Sequence, residues 1–476
     1  MNRRGIVSLL LGICSLPLVL LLLGFLLPAQ YGGTYLGEMP EKHRRLNTAQ
    51  GRRIIVIGGS SVPFALNSPQ LEQLLPGWTV VDYGLYAPLG TVTMLDWALE
   101  GIREGDLVIL SPEQDAQALS CYVDGESILQ ACDGHFDLLT RLNPTRLEAV
   151  AAAFPAFAGK KLHCALWGQP ESTGIYTRAS FNAYGDIDCP GRERNILPGL
   201  RQQNQQISFD PQMLSADFIQ EVAAFAQAVR QKGADIVYHF PPMNAAAVSE
   251  EALTTVDAYY DFLAKALPMP ILGDPHHCIL DAEWFYDTNF HLNAAGAIVF
   301  TGLLAEDIKV YLRDSSPTAL SLPSKPAPRQ AVYTGDDSCA DCFTYRQEGE
   351  GWVIDGLTAQ GRQQEALILP THYQGQPVTG MAADVLKNHT ALKALTIQPN
   401  IPVLPDGFVQ GCIRLRRILL TGEEPSAYSV GDRLMEGASF LIQVPAAALD
   451  AYRRNYSWQQ YEPWLTSESS DFQGSK

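Results

Sequence analysis

The sequence predicts an α/β fold: a parallel sheet flanked by helices, with an N-terminal transmembrane helix and a small C-terminal repeat domain. Three patterns support this class: apolar strands alternating with helices over residues 51–313, an uncharged apolar run near the N-terminus, and apolar residues recurring every 23 positions near the C-terminus. Alternating strands and helices indicate βαβ units and hence a parallel sheet.

Size and charge restrict the functional classes. A chain of 476 residues is expected to hold roughly two to four domains. Its 46% hydrophobic and 9% aromatic residues suffice for packed cores. The net charge of −17 argues against a nucleic-acid-binding surface. The acidity either serves solubility or favours a cationic partner.

The N-terminal segment predicts a membrane anchor. Residues 1–4 are basic and form a short cytoplasmic tip, and residues 5–27 run without a charge over a length that suits a bilayer. A cleaved signal peptide is the competing interpretation, but the apolar run is longer than usual and the site before Gln30 fits the cleavage rule poorly. We therefore expect a single-pass protein of the cell membrane, with its N-terminus inside, a stalk over residues 28–50, and the bulk of the chain extracytoplasmic.

Eight of the nine cysteines would then lie in an oxidising compartment. Cys121 with Cys132, and Cys339 with Cys342, are close enough in sequence to form disulfides. A lone Cys-x-x-Cys could instead be half of a zinc site, but no second half completes it. We expect neither a metal nor a cofactor.

The α/β domain over residues 51–313 is expected to alternate strands and helices in chain order. Residues 120–145 and 165–210 are polar and are predicted to form loops near the mouth of the sheet. The predicted strands are Arg53–Ile57, Trp78–Asp82, Asp106–Leu110 and Ile236–His239, and the predicted helices are Ser68–Leu75, Thr91–Arg103, Ala216–Lys232 and Ala294–Leu312.

Two short motifs suggest nucleophilic catalysis. IIVIGGSS places Ser61 directly after the first strand, at the sheet edge where parallel sheets bind ligands, and DTNFH supplies Asp287 and His291. A serine nucleophile needs a base, and the base needs a group that orients it, so we predict Ser61 as nucleophile, His291 as base and Asp287 as the orienting carboxylate. Ser60 is the alternative nucleophile and Asp281 the alternative carboxylate.

A developing oxyanion requires preorganised donors. The backbone N–H groups of Ser61 and Gly84 are the predicted donors, because both residues follow strands at one edge of the sheet. Glu113 and Gln114 follow the third strand in SPEQD and are predicted to line the pocket. The alternative for these two side chains is a solvated loop.

The C-terminal third predicts leucine-rich repeats over residues 336–465, after a Ser- and Pro-rich linker over residues 314–335 and before a polar tail over residues 466–476. A period in the twenties is typical of repeats that bury their apolar faces against each other. Segments at Leu367–Pro370 and Leu441–Pro445 are predicted as degenerate end units. The matching residues are Val385, Leu392, Leu395 and Ile397 in one unit and Phe408, Leu415, Ile418 and Leu420 in the next.

These motifs resemble the SGNH (GDSL-type) hydrolase superfamily, in particular its extracytoplasmic branch of D-alanyl transfer and alginate acetylation proteins. In that branch the second serine of Gly-Ser-Ser is the nucleophile, here Ser61, and the second block's glycine corresponds to Gly84. The Gly-x-Asn-Asp block of the family is not visible here, and SPEQD stands in its place. The spacing DxxxH replaces the commoner DxxH.

Residues 336–465 are similar to BspA-type leucine-rich repeats of bacterial surface proteins. The matching segments are LILPTHYQGQPVTGM, LKALTIQPN and IQVPAAALDAYRRNYSW.

The resemblance implies a membrane-anchored esterase or O-acyltransferase acting on a cell-envelope polysaccharide or teichoic-acid-like polymer. The alternative is a catalytically inactive surface-binding or adhesion protein that uses its repeats to bind a protein partner. A serine-directed probe discriminates the two hypotheses.

Overall fold

The computed structural model describes most of the chain after residue 18. The predicted cytoplasmic tip (residues 1–4), residues 5–18 of the predicted transmembrane helix, and residues 468–476 of the predicted tail lie outside the described residues. Among the described residues, no helix combines the length and the apolar character that crossing a membrane requires. The described ranges are 19–168, 175–197, 200–202, 205–318, 321–327, 335–348, 351–431, 433–437 and 439–467.

The chain folds as two compact units, divided after Pro326 within the predicted linker, with Asn195–Gln206 assigned to the second unit. The helices are α1 (Met39–Thr48), α2 (Ser61–Ala65), α3 (Ser68–Leu74), α4 (Thr91–Leu99), α5 (Gly125–Ala131), α6 (Pro144–Trp167), α7 (Ala216–Gln231), α8 (Glu250–Leu253), α9 (Val256–Ala266), α10 (Ala294–Leu312), α11 (Leu449–Arg454) and α12 (Tyr456–Gln459). The strands of the first unit are β1 (Arg52–Gly58), β2 (Trp78–Gly84), β3 (Leu107–Leu110), β4 (Asp235–His239), β5 (Met243–Asn244), β6 (Ile271–Leu272) and β7 (Ile279–Leu280). The strands of the second unit are β8 (Phe343–Glu348), β9 (Gly351–Leu357), β10 (Ala366–Ile368), β11 (His372–Tyr373), β12 (Gln376–Met381), β13 (Ala394–Ile397), β14 (Val403–Leu404), β15 (Arg417–Leu420), β16 (Ser429–Val430), β17 (Leu441–Val444) and β18 (Leu465–Ser467).

A five-stranded parallel sheet forms the centre of the first unit, in the order β2-β1-β3-β4-β6. The four predicted strands are all present, and the short strand β6 is added at one edge. β1 lies between β2 and β3, so that Ile57 pairs with Tyr83 on one side and Leu110 on the other. Its Val and Ile side chains are buried, as expected for a parallel strand with both faces covered. The predicted α/β class is confirmed.

Residues 28–50 form part of the first unit rather than the predicted stalk. Helix α1 buries Met39 and Leu46, and Lys42 forms a 2.9 Å ion pair with Asp82 of β2 in which both side chains are fully buried. The Lys42 ammonium also donates to the Gly185 carbonyl at 2.6 Å. The basic cluster that suggested an exposed stalk thus includes a lysine that compensates a buried carboxylate.

The predicted loops at 120–145 contain helix α5, and the 24-residue helix α6 begins at their end. Both helices start with a side-chain cap: Asp124 accepts hydrogen bonds from the first turn of α5, and Asn143 accepts one from the first turn of α6. Two of the polar residues that made this segment resemble a loop, Asp124 and Asn143, are helix caps.

The second unit contains the predicted repeats as a parallel sheet in the order β10-β13-β15-β17-β18. Leu395 pairs with Ile418 and Ile397 with Leu420, which confirms the 23-residue period. The predicted end units at Leu367–Pro370 and Leu441–Pro445 supply β10 and β17. A second sheet, in the order β11-β12-β9-β8, lies in the same unit.

The eight cysteines of the described residues are free thiols, so neither predicted disulfide is formed in this structure. Cys132 is fully buried, whereas Cys121 is partly exposed. Cys342 is buried, and Cys339 is partly exposed.

A buried arginine connects β1 to its surroundings. Arg53 is fully buried, its Nε donates to Asp106 at 2.9 Å, and its guanidinium also donates to Asp106 Oδ2 and to the carbonyls of Leu46 and Gly101. The paired carboxylate and the two carbonyls together satisfy a charge that would otherwise be costly to bury.

We therefore expect Arg53→Met to lower the unfolding free energy of the first unit by about 3–5 kcal/mol, because it leaves the Asp106 carboxylate buried without a counter-ion. Hydrogen exchange of the β1 amides in the full chain measures this loss. Lys393→Met, which removes an exposed ion pair with Glu365, is the control and should leave exchange unchanged. An Arg53→Met chain with wild-type exchange would contradict the stabilising role of this pair.

Candidate active site

The GGSS motif lies at the carboxyl end of β1, next to the carboxyl ends of β2 and β3. In an open parallel sheet the crevice for a ligand lies at this edge, where the strand order reverses. Here the chain leaves β1 toward β2 on one side and later returns to β3 on the other side. The motif is thus at the place where the topology provides a crevice.

Ser60, His291 and Asp287 form a hydrogen-bonded chain. Ser60 Oγ lies 2.8 Å from His291 Nε2, and His291 Nδ1 lies 2.9 Å from Asp287 Oδ1. Both distances are within the range that proton transfer and ring orientation require. The serine and the histidine are almost entirely buried.

The serine in this chain is Ser60, the alternative, and not the predicted Ser61. Helix α2 begins at Ser61, whose side chain is fully buried and whose hydroxyl has no hydrogen-bond partner among the described residues. Ser60 precedes the first turn, where its hydroxyl faces the DTNFH segment. Helix geometry separates the two adjacent serines, and the sequence alone does not specify the residue at which the helix starts.

The DTNFH segment is a turn rather than a helix. Phe285 and Leu292 form an isolated bridge, and the Thr288 hydroxyl accepts the backbone N–H of His291 at 3.0 Å. The imidazole stacks on Phe64 with 4.0 Å between ring centroids and 5° between planes. These contacts fix the ring in the orientation that places Nε2 on Ser60.

Tyr176 contacts the histidine–aspartate pair and was not singled out from the sequence. Its hydroxyl donates to Asp287 Oδ2 and lies 3.2 Å from His291 Nδ1. Desolvation, together with the charge of Asp287, raises the pKa of Tyr176 well above its ordinary value, so this hydroxyl stays protonated. Asp287 therefore accepts a hydrogen bond at each of its two oxygens.

Arg192 joins the two distant parts of the site and was also missed. Its guanidinium donates to the carbonyl of Phe64 at 3.1 Å and to the carbonyl of Leu292 at 3.3 Å. Burial lowers the pKa of Arg192 from its ordinary value. Tyr176 and Arg192 both come from the segment 165–210, whose polar composition indicated loops near the sheet mouth without identifying individual residues.

Glu113 lies against both serines, in agreement with its prediction as a pocket residue. Its Oε1 accepts the backbone N–H of Ser61 at 2.9 Å and lies 3.0 Å from Ser60 Oγ. Gly59 permits this approach, since a Cβ there would lie 3.0 Å from the same oxygen. The carboxyl group thus engages the Ser61 N–H that a substrate oxyanion would otherwise use.

The second predicted oxyanion donor is engaged as well. The Gly84 N–H donates to Asp82 Oδ1 at 2.9 Å. Burial raises the pKa of Asp82 to about 7, against the lowering effect of Lys42. Gly84 is nevertheless required at this position, since a Cβ would lie 2.4 Å from the Val62 side chain.

Two other residues considered from the sequence lie away from the triad. Gln114 is buried, and its amide donates to the Ser208 carbonyl at 3.2 Å. Asp281 is exposed and pairs with Lys325. Neither contacts His291, so Asp287 is the carboxylate that orients the ring.

The protons of this network allow two arrangements. The Ser60 hydroxyl has one proton to donate, but both His291 Nε2 and Glu113 Oε1 lie within hydrogen-bond distance. If His291 is neutral and accepts that proton, Glu113 must be protonated to donate to Ser60. If Glu113 is ionised and accepts it, His291 must carry a proton on both ring nitrogens. Only the first arrangement leaves the histidine free to act as a base.

No group of three or more His, Cys, Asp or Glu side chains within the described ranges is arranged to hold a metal ion.

Comparison with known proteins yields only distant similarities. No family model and no curated protein matches the chain. Among solved structures, the chain is similar to the protein YxiM of Bacillus subtilis, with 14% identity, a TM-score of 0.27, and coverage of 55% of this chain and 57% of that one. It is also similar to a leucine-rich repeat protein of T. pallidum, with 16% identity, a TM-score of 0.16, and coverage of 22% and 47%. A leucine-rich cell surface protein of Faecalibacterium prausnitzii gives 12% identity, a TM-score of 0.17, and coverage of 25% and 34%. The chain covers less than two thirds of each of these proteins, and likenesses of this strength establish neither a family nor an activity.

Proposed function

We propose that the first unit is a serine esterase or O-acyltransferase, with Ser60 as the nucleophile. The observation that carries the proposal is the Ser60–His291–Asp287 chain, with its two hydrogen bonds of 2.8 and 2.9 Å. Its three members meet at the carboxyl edge of the parallel sheet, where such sheets bind ligands. Along the sequence the three residues follow the order Ser, Asp, His, whereas in space the histidine lies between the serine and the aspartate. Triads on unrelated folds share this spatial arrangement and differ in their order along the chain.

In the proposed reaction, Ser60 Oγ attacks the carbonyl carbon of an ester and transfers its proton to His291 Nε2. The imidazolium that forms is stabilised by Asp287, and its proton passes to the departing alcohol as the tetrahedral intermediate collapses. Water or a sugar hydroxyl then attacks the carbonyl carbon of acyl-Ser60 and gives its proton to His291. The bond between that carbon and Ser60 Oγ breaks, and Oγ takes the proton from His291, which restores the enzyme. Hydrolysis and transfer share the acyl-enzyme and differ in the acceptor.

We propose that protonated Glu113 takes the role of the missing oxyanion donor. It contacts the Ser60 hydroxyl and the Ser61 N–H, beside the position where negative charge develops in the tetrahedral intermediate. An ionised Glu113 would repel the oxyanion, so the site is active only with this proton in place.

The substrate proposed from the family resemblance is an acylated cell-envelope polysaccharide or teichoic-acid-like polymer, with the chain anchored in the cell membrane by residues 5–27. Retention of this segment is supported by its contacts, because the Gly24 carbonyl accepts a hydrogen bond from the buried Lys161 ammonium at 2.9 Å. Cleavage near Gln30 would leave that ammonium without this acceptor.

A second proposal is a surface-binding protein whose α/β unit does not react, with a protein partner at the repeats. Its support is that both predicted oxyanion donors are engaged internally: the Ser61 N–H with Glu113 and the Gly84 N–H with Asp82. In this case Glu113 would remain ionised and hold Ser60 in an unreactive hydrogen bond.

Labelling of the full chain by a fluorophosphonate probe tests the choice of nucleophile. Ser60→Ala is expected to abolish labelling, since it removes the hydroxyl that His291 activates. Ser61→Ala is the matched control and should label within about threefold of the wild-type rate, because its hydroxyl does not contact His291. Labelling that disappears in Ser61→Ala and persists in Ser60→Ala would reverse the assignment. Absence of labelling in the folded wild-type chain would favour the binding protein.

The role of Glu113 predicts a difference between two substitutions. Glu113→Gln keeps the size of the side chain and provides a permanent amide donor, so labelling should remain within about tenfold of wild type. Glu113→Ala removes the donor and should slow labelling by about 10²–10³-fold, the usual effect of losing one oxyanion donor. The labelling rates of the two variants measure both effects. Equal losses in the two variants would contradict a donor role.

Tyr176 is expected to act as a positioning residue through Asp287. Tyr176→Phe removes the hydroxyl that donates to Asp287, so the carboxylate should attract the imidazolium more strongly and the acid limb of the rate profile should move to higher pH. Tyr184→Phe, whose hydroxyl bonds to Glu72 at 3.0 Å, is the control and should keep the wild-type profile. An unshifted acid limb in Tyr176→Phe would show that its hydroxyl does not influence the histidine.

A further inference from the structure

Helix α6 carries apolar side chains on its solvent side as well as on its buried side. Phe157 and Ala158 are buried, whereas Ala152, Ala156 and Gly159 are exposed. The exposure increases at the end of the helix, where Leu166 is 61% and Trp167 is 72% exposed. Glycine and alanine in a helix are unremarkable by themselves, but a large exposed Leu-Trp pair is not.

A second apolar segment lies beside this helix. Residues 19–26 are helical, and Phe25 stacks on Phe154 of α6 with 4.8 Å between ring centroids. Of the sixteen large apolar side chains that are exposed among the described residues, eight belong to these two segments. We name them together the apolar patch: Val19, Leu21, Leu22, Phe25, Leu26, Leu147, Leu166 and Trp167.

Buried polar contacts fix the two segments to each other. Lys161 of α6 is fully buried, and its ammonium donates to the Gly24 carbonyl at 2.9 Å and pairs with Asp133 at 2.6 Å. Asp133 in turn accepts the backbone N–H groups of Gln30 and Tyr31. The patch is therefore held against the α/β unit rather than on a free tail.

Charge is scarce on the exposed side of the patch. Two charged residues of α6 are exposed: Glu148, beside Leu147, and Lys160, which pairs with Glu126 at 2.6 Å. The chain that enters the patch at residue 19 is uncharged back to Gly5 and is preceded by Arg3 and Arg4. An uncharged apolar segment of this length is stable in lipid. The surface that continues into it is therefore expected to lie beside the bilayer.

We propose that the apolar patch docks on the surface of a phospholipid bilayer, with α6 lying in the interface and Trp167 at the level of the headgroups. An interfacial helix buries apolar side chains at the boundary between headgroups and acyl chains, and tryptophan is favoured there. The inference rests on the proposed anchoring by residues 5–27, which include five residues of the patch, and it adds a contact through α6 that orients the α/β unit. It does not depend on catalysis.

A short stretch of chain connects the apolar patch to a residue that lies beside the catalytic triad. Tyr35 follows Phe25 by ten residues, which span at most about 35 Å, and its ring centroid lies 5.5 Å from that of Tyr176. Tyr176 in turn contacts Asp287. Docking would therefore hold the Ser60 site within a few tens of ångströms of the bilayer surface.

Quenching of tryptophan fluorescence by lipids with brominated acyl chains tests the proposal. The full chain is reconstituted in phosphatidylethanolamine–phosphatidylglycerol liposomes, and wild type is compared with Trp167→Phe and with Trp464→Phe, an exposed tryptophan of the second unit. We expect the quenched signal to fall by at least half in Trp167→Phe and to persist in Trp464→Phe. Quenching that is absent in the wild type, or unchanged in Trp167→Phe, would overturn the proposal.

A charge placed on the patch provides a second test. Ala156→Glu is expected to reduce the Trp167-dependent quenching at least threefold, whereas Ala224→Glu, at an exposed position of α7, should leave it unchanged. Sedimentation of the same chains in detergent identifies a different occupant. Dissociation of an oligomer by Ala156→Glu, with quenching unaffected, would show that the patch joins two copies of the chain and would overturn bilayer docking.

Discussion

The hydrogen bond between Ser60 and His291 is the constraint on which the site depends, because it joins residues 231 positions apart in the chain. The parallel sheet brings the end of β1 and the turn before α10 to the same edge. Local contacts then set the final orientation: Phe64 stacks on the imidazole, and Arg192 bonds to backbone carbonyls on both sides of the junction. A strand-to-helix turn and a distant turn are thereby held as one rigid arrangement.

The second property of the site is electrostatic. A carboxyl oxygen of Glu113 contacts the Ser60 hydroxyl and the Ser61 N–H, so the location of one proton decides whether the serine can be activated. Protonation of Glu113 supplies a donor for an oxyanion, and its ionisation places a negative charge where the transition state also develops one. The same geometry thus supports a reactive and an unreactive state, and the two proposed functions differ in which state prevails.

Much of the architecture follows from local patterns. The Val- and Ile-rich strands, the helix Ala294–Leu312 and the 23-residue repeat register were all predictable, because each is set by periodicity within a short window. Polar capping residues concealed helix α5, since Asp124 resembles a loop residue until its partners are known. The residues 28–50 resembled a stalk because a buried lysine cannot be distinguished from an exposed one by sequence.

The site was predictable at the level of motifs and less so at the level of side chains. The turn at 285–292 pairs Asp287 with His291 as expected, but the register of helix α2 places Ser60, and not Ser61, on the imidazole. Tyr176 reaches Asp287 across 111 positions of chain, and no spacing rule signals such a contact.

Trapping of an acyl-enzyme tests the central claim most directly. The full chain is incubated briefly with p-nitrophenyl acetate, quenched in acid, digested and mapped by mass spectrometry. The account predicts an acetyl group on the hydroxyl of Ser60. Acetylation of Ser61 instead, or no acetylated serine in a chain that is folded, would contradict it.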